Sequence, residues 1–415
     1  MSWSVRPLNQ VADFVLGKML DQAKNKGDLL PYLANINVRW GDFDLNALRE
    51  MRFESHELER FSLKRGDIVM CEGGEPGRCA LWKGEQSGMM FQKALHRIRP
   101  HACLDSRFLY YAFLNLRKSN GFAPYFTGAT IKHLPREQLA KIEVRFPGIN
   151  TQKAIASILE NYDDLIAINK RRIQLLGDAA RRLYREVESN CAGGTNYFQL
   201  DKAGRMTYDA CTIRSIVTGI FDGPHATPPL HKQGAAVFLG IREITDDGNI
   251  NLSEARWVSE GDYAKWTKRV TPRAGDIVFT YEATLNRYAL IRDGLPCCLG
   301  RRTALIRPDP EKVNPIFLFH YLFSPEWRSQ IDANTVAGAT VDRISLTKFP
   351  EFQVKLPPLE VQNRIADTLS TYDDLIENLG RQQQCLIADK EILLPKLMSG
   401  QLDVSGIPLP VEIGT

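Results

Sequence analysis

The carboxylates, histidines and cysteines of this chain are the side chains from which a metal or catalytic site could be built. Two adjacent carboxylate pairs, Asp163–Asp164 and Asp373–Asp374, have suitable chemistry for a divalent cation. Neighbouring residues of a helix, however, point about 100° apart, so the two carboxylates of a pair converge poorly on one ion. We therefore expect these side chains to be solvated or to face a partner.

The histidines and cysteines predict no metal site. The seven histidines include no H-x-x-x-H pair, and the eight cysteines include no C-x-x-C spacing. Free thiols in a reducing compartment are the simpler interpretation of the cysteines. No metal ligand is therefore predicted in this chain.

The short motifs of common catalytic sites are also missing. The sequence contains neither the phosphate-binding loop G-x-x-x-x-G-K-[ST] nor the dinucleotide fingerprint G-x-G-x-x-G. It lacks the Asn-Pro-Pro-Tyr or Asp-Pro-Pro-Tyr tetrapeptide with which amino-methyltransferases hold an exocyclic amine. The double prolines at 228–229 and 357–358 have no suitable acceptor before them and no aromatic ring after them. We predict no catalytic residue, and hence a binding protein rather than an enzyme.

A different group of side chains suits hydrogen bonding to nucleic acid. Arginine pairs with guanine, and asparagine or glutamine with adenine, through two hydrogen bonds, whereas phosphate contacts position the protein. The candidates in the first half of the chain are Arg39, Arg78, Gln92, Lys93, Lys132 and His133. The candidates in the second half are His225, Thr227, Arg242, Tyr281, Arg287, Arg301, Arg302 and Arg343. The alternative for each of them is a solvated surface charge or a salt bridge.

These candidates lie on a chain that repeats itself. Residues 162–166 and 372–376 both read Tyr-Asp-Asp-Leu-Ile, a shift of 372 − 162 = 210 residues. Gly-Asp-Ile-Val at 66–69 recurs at 275–278, Ile-Arg-Pro at 98–100 recurs at 306–308, and Gly-Ala-Thr at 128–130 recurs at 338–340. Arg78 recurs as Arg287, which fits a structural role or a phosphate contact better than base reading. The repeat predicts two similar modules with different surface loops.

Each module ends in a predicted long helix, at 150–190 and 357–400. Apolar residues recur there in steps of four and three, which is the heptad pattern of paired helices. The predicted pairing core is Ile155, Leu159, Tyr162, Ile166, Ile173, Leu176, Leu183, Ile365, Leu369, Tyr372, Ile376, Leu386 and Leu393. Asn169 falls in the same stripe, where it would either fix the register of pairing or simply interrupt the stripe.

The predicted fold is therefore mixed α/β, with two similar globular domains at 1–149 and 191–356, the two long helices after them, and a C-terminal tail at 401–415. Two such helices in one chain most easily pair antiparallel, with the globular domains at opposite ends of a rod and related by a pseudo-twofold axis. The 415 residues carry a net charge of only +4 and 44% apolar residues, as in ordinary globular proteins. No apolar run reaches the roughly 20 residues needed to cross a bilayer, so we expect a cytoplasmic protein without a membrane partner.

This arrangement resembles the specificity subunit of type I restriction-modification systems, over nearly the whole chain. The segments that carry the resemblance are 356–362 running into Ile365, 394–400, the two Gly-Asp-Ile-Val strands, and the loop at 222–228. The first half departs from the pattern, since 146–149 read Phe-Pro-Gly-Ile in place of Leu-Pro-Pro-Leu and no Gly-Pro-His loop is present. The departures put a shared map of DNA contacts in doubt.

The resemblance implies that each globular domain is a target recognition domain that reads half of a split, asymmetric site in double-stranded DNA. The paired helices would set the unread gap and dock two methylation subunits, which bring S-adenosylmethionine. Restriction subunits would join them and use ATP and Mg²⁺, while this chain binds no cofactor of its own. Two alternatives stay open: a stand-alone methyltransferase or nuclease with an unrecognised active site, and a two-headed scaffold that binds proteins.

Overall fold

The structure is a computed structural model that describes residues 3–21, 25–190, 209–252, 255–338, 341–404 and 406–407. The chain forms two compact units, Met1–Ala167 with Cys385–Thr415 and Ile168–Gln384. Each unit thus contains one globular domain and one part of each long helix, so the helices do not form a separate domain. Among the residues described, no helix combines the length and apolar character that a membrane crossing needs.

The first unit is built on two small sheets and a strand pair. Its strands are β1 (Ser4–Pro7), β2 (Ala12–Leu16), β3 (Asp28–Leu33), β4 (Arg49–Phe53), β5 (Ile68–Cys71), β6 (Cys79–Leu81), β7 (Met90–Phe91), β8 (Leu95–Pro100) and β9 (Glu143–Phe146). Its helices are α1 (Leu58–Phe61), α2 (Ser106–Lys118), α3 (Arg136–Leu139) and the first part of α4 (Ile149–Asn190). The strand orders are β2-β8-β5-β6, β4-β3-β7 and β1-β9.

The second unit repeats this plan. Its strands are β10 (Asp209–Thr212), β11 (Val217–Asp222), β12 (Ala236–Leu239), β13 (Trp257–Val258), β14 (Ile277–Thr280), β15 (Tyr288–Leu290), β16 (Cys297–Leu299), β17 (Thr303–Pro308), β18 (Thr335–Val336), β19 (Arg343–Ile344) and β20 (Gln353–Leu356). Its helices are α5 (Ile213–Ile216), α6 (Glu260–Trp266), α7 (Pro315–Tyr321), α8 (Pro325–Ala333) and the first part of α9 (Leu359–Ser399). Short 3-10 turns lie at Leu8–Gln10, Asn35–Asn37, Ser55–Glu57, Ala123–Tyr125 and Phe349–Glu351.

The two units share sheet topology and register, which confirms the mixed α/β internal repeat. The strand orders β11-β17-β14-β15, β13-β12-β16 and β10-β20 match those of the first unit one for one. In both, the second sheet combines one antiparallel and one parallel pair, β3 with β4 and β7, and β12 with β13 and β16. Ile68 pairs with Ile98 as Ile277 pairs with Ile306. The pair β18-β19 corresponds to a single antiparallel bridge between Thr127 and His133 in the first unit.

A buried ion pair occupies the same place in both sheets. The Asp67 carboxylate accepts two hydrogen bonds of 2.7 Å from Arg99, and Asp276 accepts bonds of 2.9 and 2.7 Å from Arg307. Both aspartates are only 1% exposed. A buried carboxylate is stable only when it is paired and hydrogen-bonded. The recurring Gly-Asp-Ile-Val and Ile-Arg-Pro segments of the sequence therefore supply the two partners of one internal contact.

The long helices pair antiparallel within each unit. Helix α4 has 42 residues and α9 has 41, about 63 Å and about 62 Å at 1.5 Å per residue. In the first unit, the early residue Leu159 of α4 shares a hydrophobic core with the late residue Leu397 of α9. In the second unit, the late residue Tyr184 of α4 shares a core with the early residues Ile365 and Leu369 of α9.

The predicted pairing core lies on the inner side of these helices. Ile155, Leu159, Ile365 and Leu369 are buried, and the other predicted core residues are half-buried. Asn169 is 6% exposed, and Leu379, one repeat later, is 5% exposed. The helices begin at 149 and 359, one residue before and two residues after the predicted starts.

The aspartate of the repeated Tyr-Asp-Asp-Leu-Ile segment anchors each helix to its own globular domain. The Tyr111 hydroxyl donates a 2.8 Å hydrogen bond to Asp163, which also pairs with Lys390. Asp373, 6% exposed, lies 3.4 Å from His320 Nε2 and 3.3 Å from Arg292. The expectation of a solvated carboxylate is thus wrong for Asp373, which is buried against α7, whereas the Asp163 side chain stays 37% exposed beside α2. Among the described residues, no group of three or more potential ligands could hold a metal ion.

A buried glutamine fixes the start of each long helix. Gln152 donates a 2.8 Å hydrogen bond to the Pro147 carbonyl and accepts one of 2.8 Å from the Asp105 N–H. Gln362 donates a 2.8 Å bond to the Pro357 carbonyl and accepts one of 3.0 Å from the backbone N–H just before α7. The two side chains are 0% and 1% exposed. Each joins the end of a strand, the start of a long helix and the start of a domain helix.

We expect Gln152→Ala and Gln362→Ala each to lower the free energy of unfolding by about 1–3 kcal/mol, because each leaves buried backbone groups unpaired. The measurement is the urea midpoint of the transition of the unit that carries the substitution. Gln384→Ala, at an exposed position of α9, is the control and should change stability by less than about 0.5 kcal/mol. Losses no larger than the control's would contradict the role given to these glutamines.

Candidate nucleic-acid interface

In the first unit, backbone hydrogen bonds join three loops that carry candidate residues. The Glu72 N–H donates to the Ala94 carbonyl at 2.9 Å, and the Leu134 N–H donates to the Glu72 carbonyl at 2.8 Å. The loops are 72–78 after β5, 92–94 between β7 and β8, and the turn at 127–133. They bring Arg78, Gln92, Lys93, Lys132 and His133 to one edge of the unit.

The second unit has the same arrangement. The Tyr281 N–H donates to the Arg302 carbonyl at 3.2 Å, and the Ile344 N–H donates to the Tyr281 carbonyl at 2.8 Å. The corresponding loops are 281–287, 300–302 and 341–343. They carry Tyr281, Arg287, Arg301, Arg302 and Arg343. We call these three loops in either unit the three-loop edge.

Two of the three loops match at their left-handed positions. Left-handed residues recur as Gly74 (φ 80°) with Ala283 (70°), Gly77 (86°) with Asn286 (62°), and Ala94 (85°) with Arg302 (70°). A residue other than glycine seldom adopts this conformation, and it persists only where its surroundings impose it. The two units therefore hold different side chains on one backbone shape.

Arg78 and Arg287 support this edge from behind. Arg78 Nη2 donates to the Asn35 carbonyl at 2.8 Å, and Arg287 Nη1 donates to the Ile241 carbonyl at 3.1 Å. Arg78 also pairs with Glu75 at 3.0 Å, and Arg287 pairs with an aspartate at 2.7 Å. Their side chains are only 17% and 23% exposed. These bonds give both arginines a structural role, because they hold the loops after β3 and β12.

Tyr281, another predicted DNA contact, is buried. It is 6% exposed and belongs to the main core of its unit, and its hydroxyl has no hydrogen-bond partner among the described residues. Burial, together with the nearby carboxylates of Asp222 and Glu282, raises the pKa of this phenol. The residue continues the alternation of β14, in which Ile277 and Phe279 also point into the core. The alternation of buried residues along β14, extended past the end of the strand, would have revealed this burial.

The remaining candidates differ in exposure and in the contacts that they make within the protein. Lys93, Lys132 and His133 in the first unit, and Arg301 and Arg343 in the second, are exposed; Gln92 is half-buried. Arg39 is exposed but bonded to Asp44 at 3.4 Å and to a backbone carbonyl at 2.6 Å. Arg302 lies 3.4 Å from Glu282. His225, on the exposed loop with Thr227, lies 3.5 Å from Asp222.

Four candidates of the second unit meet in one small cleft. It has a volume of about 360 Å³, and its lining contains no carboxylate. The lining residues are Thr227, Phe238, Gly240, Ile241, Arg242, Arg256, Arg301 and Arg302. Arg256 was not among the predicted candidates, and its guanidinium is held by the buried Glu243 at 2.7 and 2.8 Å. The spacing of Glu243 and Arg256 gave no signal for this pairing.

These features define the class of protein. Each unit presents a rigid, donor-rich edge with unpaired cations, which suits an acceptor-rich polyanion such as DNA. The same edge occurs twice in one chain with different side chains. The class is a two-module nucleic-acid recognition protein.

Comparison with known proteins gives the family. The model of the type I restriction modification DNA specificity domain matches residues 2–177 and 232–386. The chain belongs to this family, whose members are specificity subunits without catalytic activity. This confirms the resemblance and disfavours a stand-alone methyltransferase or nuclease.

Two relatives and one solved structure illustrate the similarity. The chain is 23% identical to the type I restriction enzyme MjaVIII specificity subunit of Methanocaldococcus jannaschii, over 98% of this chain and 94% of that protein. It is 24% identical to the type I restriction enzyme EcoBI specificity subunit of Escherichia coli, over 66% of this chain and 60% of that protein. The crystal structure of a type I restriction-modification S subunit from M. genitalium has the same fold, with a TM-score of 0.57, 15% identity and coverage of 95% and 96% of the two chains.

The supporting role of Arg287 can be separated from that of a free surface cation. Arg287→Ala removes several hydrogen bonds to the loop after β12, so we expect it to lower the free energy of unfolding of the second unit by about 1–3 kcal/mol. Arg343→Ala removes an exposed side chain and should change stability by less than about 0.5 kcal/mol. Urea unfolding measures both, and equal midpoints for the two variants would refute the assignment.

Proposed function

We propose that this chain selects the DNA target of a type I restriction-modification complex, with each unit reading one half of a split site. The observation that carries the proposal is the three-loop edge, which has one backbone shape in both units and different side chains on it. Direct reading of bases requires side chains of defined donor pattern in fixed positions. Two edges of this kind suit two half-sites in one duplex.

The side chains at equivalent positions predict that the two half-sites differ. His133 of the first unit corresponds to Arg343 of the second, and Lys132 corresponds to Asp342, both at a shift of 210 residues. Gln92 corresponds to Gly300, because both carbonyls accept from the first residue of the next strand. Changes of charge and of donor pattern at matched positions favour different bases. The target is therefore an asymmetric site.

The long helices offer equivalent faces to two copies of one partner. In the repeated Tyr-Asp-Asp-Leu-Ile segment, Leu165 and Leu375 are each 47% exposed, and Asp164 and Asp374 beside them are exposed as well. These faces suit two methylation subunits, which would carry S-adenosylmethionine. Restriction subunits would join that complex with ATP and Mg²⁺, and the helices would set the unread gap. The complex would act in the cytoplasm.

Sequencing of methylated adenines in a host that expresses this chain with its methylation subunit tests the proposal directly. We expect one motif of two specified parts, different from each other, separated by a fixed number of unspecified bases. The same host with the methylation subunit alone is the control and should show no such motif. A palindromic motif, or methylation that persists without this chain, would contradict the proposal.

A protein-binding scaffold predicts a different response to salt. If the edges bind DNA, the logarithm of the association constant for random duplex should fall linearly with the logarithm of salt concentration, by about 0.9 per phosphate contact. Filter binding of the complex of this chain with methylation subunits measures the slope, and the methylation subunit alone is the reference. A slope no steeper than that of the reference would favour the scaffold.

A further inference from the structure

One position of the three-loop edge carries an exposed cation in both units. Arg301 immediately precedes Arg302, and Lys93 immediately precedes Ala94, the left-handed residue of the matching loop. Neither the Arg301 nor the Lys93 side chain forms a hydrogen bond or ion pair with the described residues. The charge is thus kept while the shape of the side chain changes.

The backbone holds these two cations in equivalent places. The Leu95 N–H donates to the Gln92 carbonyl at 3.2 Å, and the Thr303 N–H donates to the Gly300 carbonyl at 3.4 Å, which closes the same tight turn around each cation. The residue that follows each cation is bonded to the loop after the neighbouring strand, at 2.9 and 3.2 Å. A cation on such a turn is positioned before it meets a ligand.

Arg301 lies in a cleft that is lined by other arginines. This residue also belongs to the three-loop edge. The cleft is lined as well by Arg242, Arg256 and Arg302, and its lining contains no carboxylate. Arg256 and Arg302 are each held by a glutamate, at 2.7 and 3.4 Å. Arg301 is exposed and has no such partner among the described residues, so its charge is available to an anion.

We propose that Arg301 and Lys93 are equivalent phosphate anchors, which grip the DNA backbone at the same register in each unit. The inference rests on the proposed function and assigns these residues within it. Arginine and lysine share charge but not the planar fork needed for bidentate pairing with guanine. A position that keeps charge and changes shape therefore contacts phosphate, whereas positions that change donor pattern, such as His133 and Arg343, face bases.

The test uses the complex of this chain with its methylation subunits and duplexes that carry the motif found by methylation sequencing. Arg301→Ala and Lys93→Ala should each weaken binding of cognate and random duplex by the same factor, about fivefold to tenfold near 0.1 M salt, and lower the salt slope by about 0.9. The methylated motif should stay unchanged. Arg301→Lys and Lys93→Arg should keep both affinity and slope.

Arg328→Ala and Lys141→Ala are matched controls, since both are exposed cations outside the three-loop edge, and they should leave the slope unchanged. Relaxation of the motif at one base in Arg301→Ala or Lys93→Ala would show base reading and overturn the proposal. An unchanged slope, or a slope reduced as much in the controls, would overturn it too. Failure of the unsubstituted complex to bind DNA in a salt-dependent manner would instead remove the proposed function itself.

Discussion

The hydrogen bonds between backbone groups of three neighbouring loops are the constraint on which the recognition edge depends. The bonds from residues 72 to 94 and 134 to 72 recur as bonds from 281 to 302 and 344 to 281. Because they use only backbone groups, they tolerate almost any side chain at the loop surface. The left-handed residues that shape the loops recur as well, even where Gly74 is replaced by Ala283. The scaffold can therefore keep its geometry while the surface it presents changes.

Beneath the loops, buried polar contacts fix the geometry and leave little room for change. Loss of Arg99 or of Arg307 would strand the buried carboxylate of Asp67 or of Asp276, which costs about 3–5 kcal/mol. The contacts that anchor the long helices vary more between the two units. Asp163 accepts from Tyr111, whereas Asp373 faces His320, so the carboxylate is kept while its partner varies. Each of these contacts lies within one unit, so each unit defines its own recognition edge.

Much of this fold could be predicted from the sequence because buried contacts force residues to recur. The repeated Gly-Asp-Ile-Val, Ile-Arg-Pro and Tyr-Asp-Asp-Leu-Ile segments mark the sheet, the ion pair and the helix anchor, and the steps of four and three mark the inner side of the helices. The site was harder to predict, because the sequence does not distinguish an exposed arginine from one that is bonded within the protein. Arg287 and Arg301 were equal candidates. They differ in the structure because Arg287 donates hydrogen bonds to the Asp246 carboxylate and to two backbone carbonyls.

The difference between Arg287 and Arg301 suggests a physical rule for the interface. A residue that is repeated and buried serves the scaffold, as Arg78 and Arg287 do. A position that is repeated in charge but exposed, as with Lys93 and Arg301, suits a ligand present in the same form at both half-sites, and the phosphate backbone is such a ligand. A position that changes donor pattern, as with His133 and Arg343, suits the part of DNA that differs between half-sites, namely the base edges. Recognition of a split, asymmetric site then needs no change of fold between the units, because the sequence-independent grip and the sequence-dependent contacts occupy different positions of one edge.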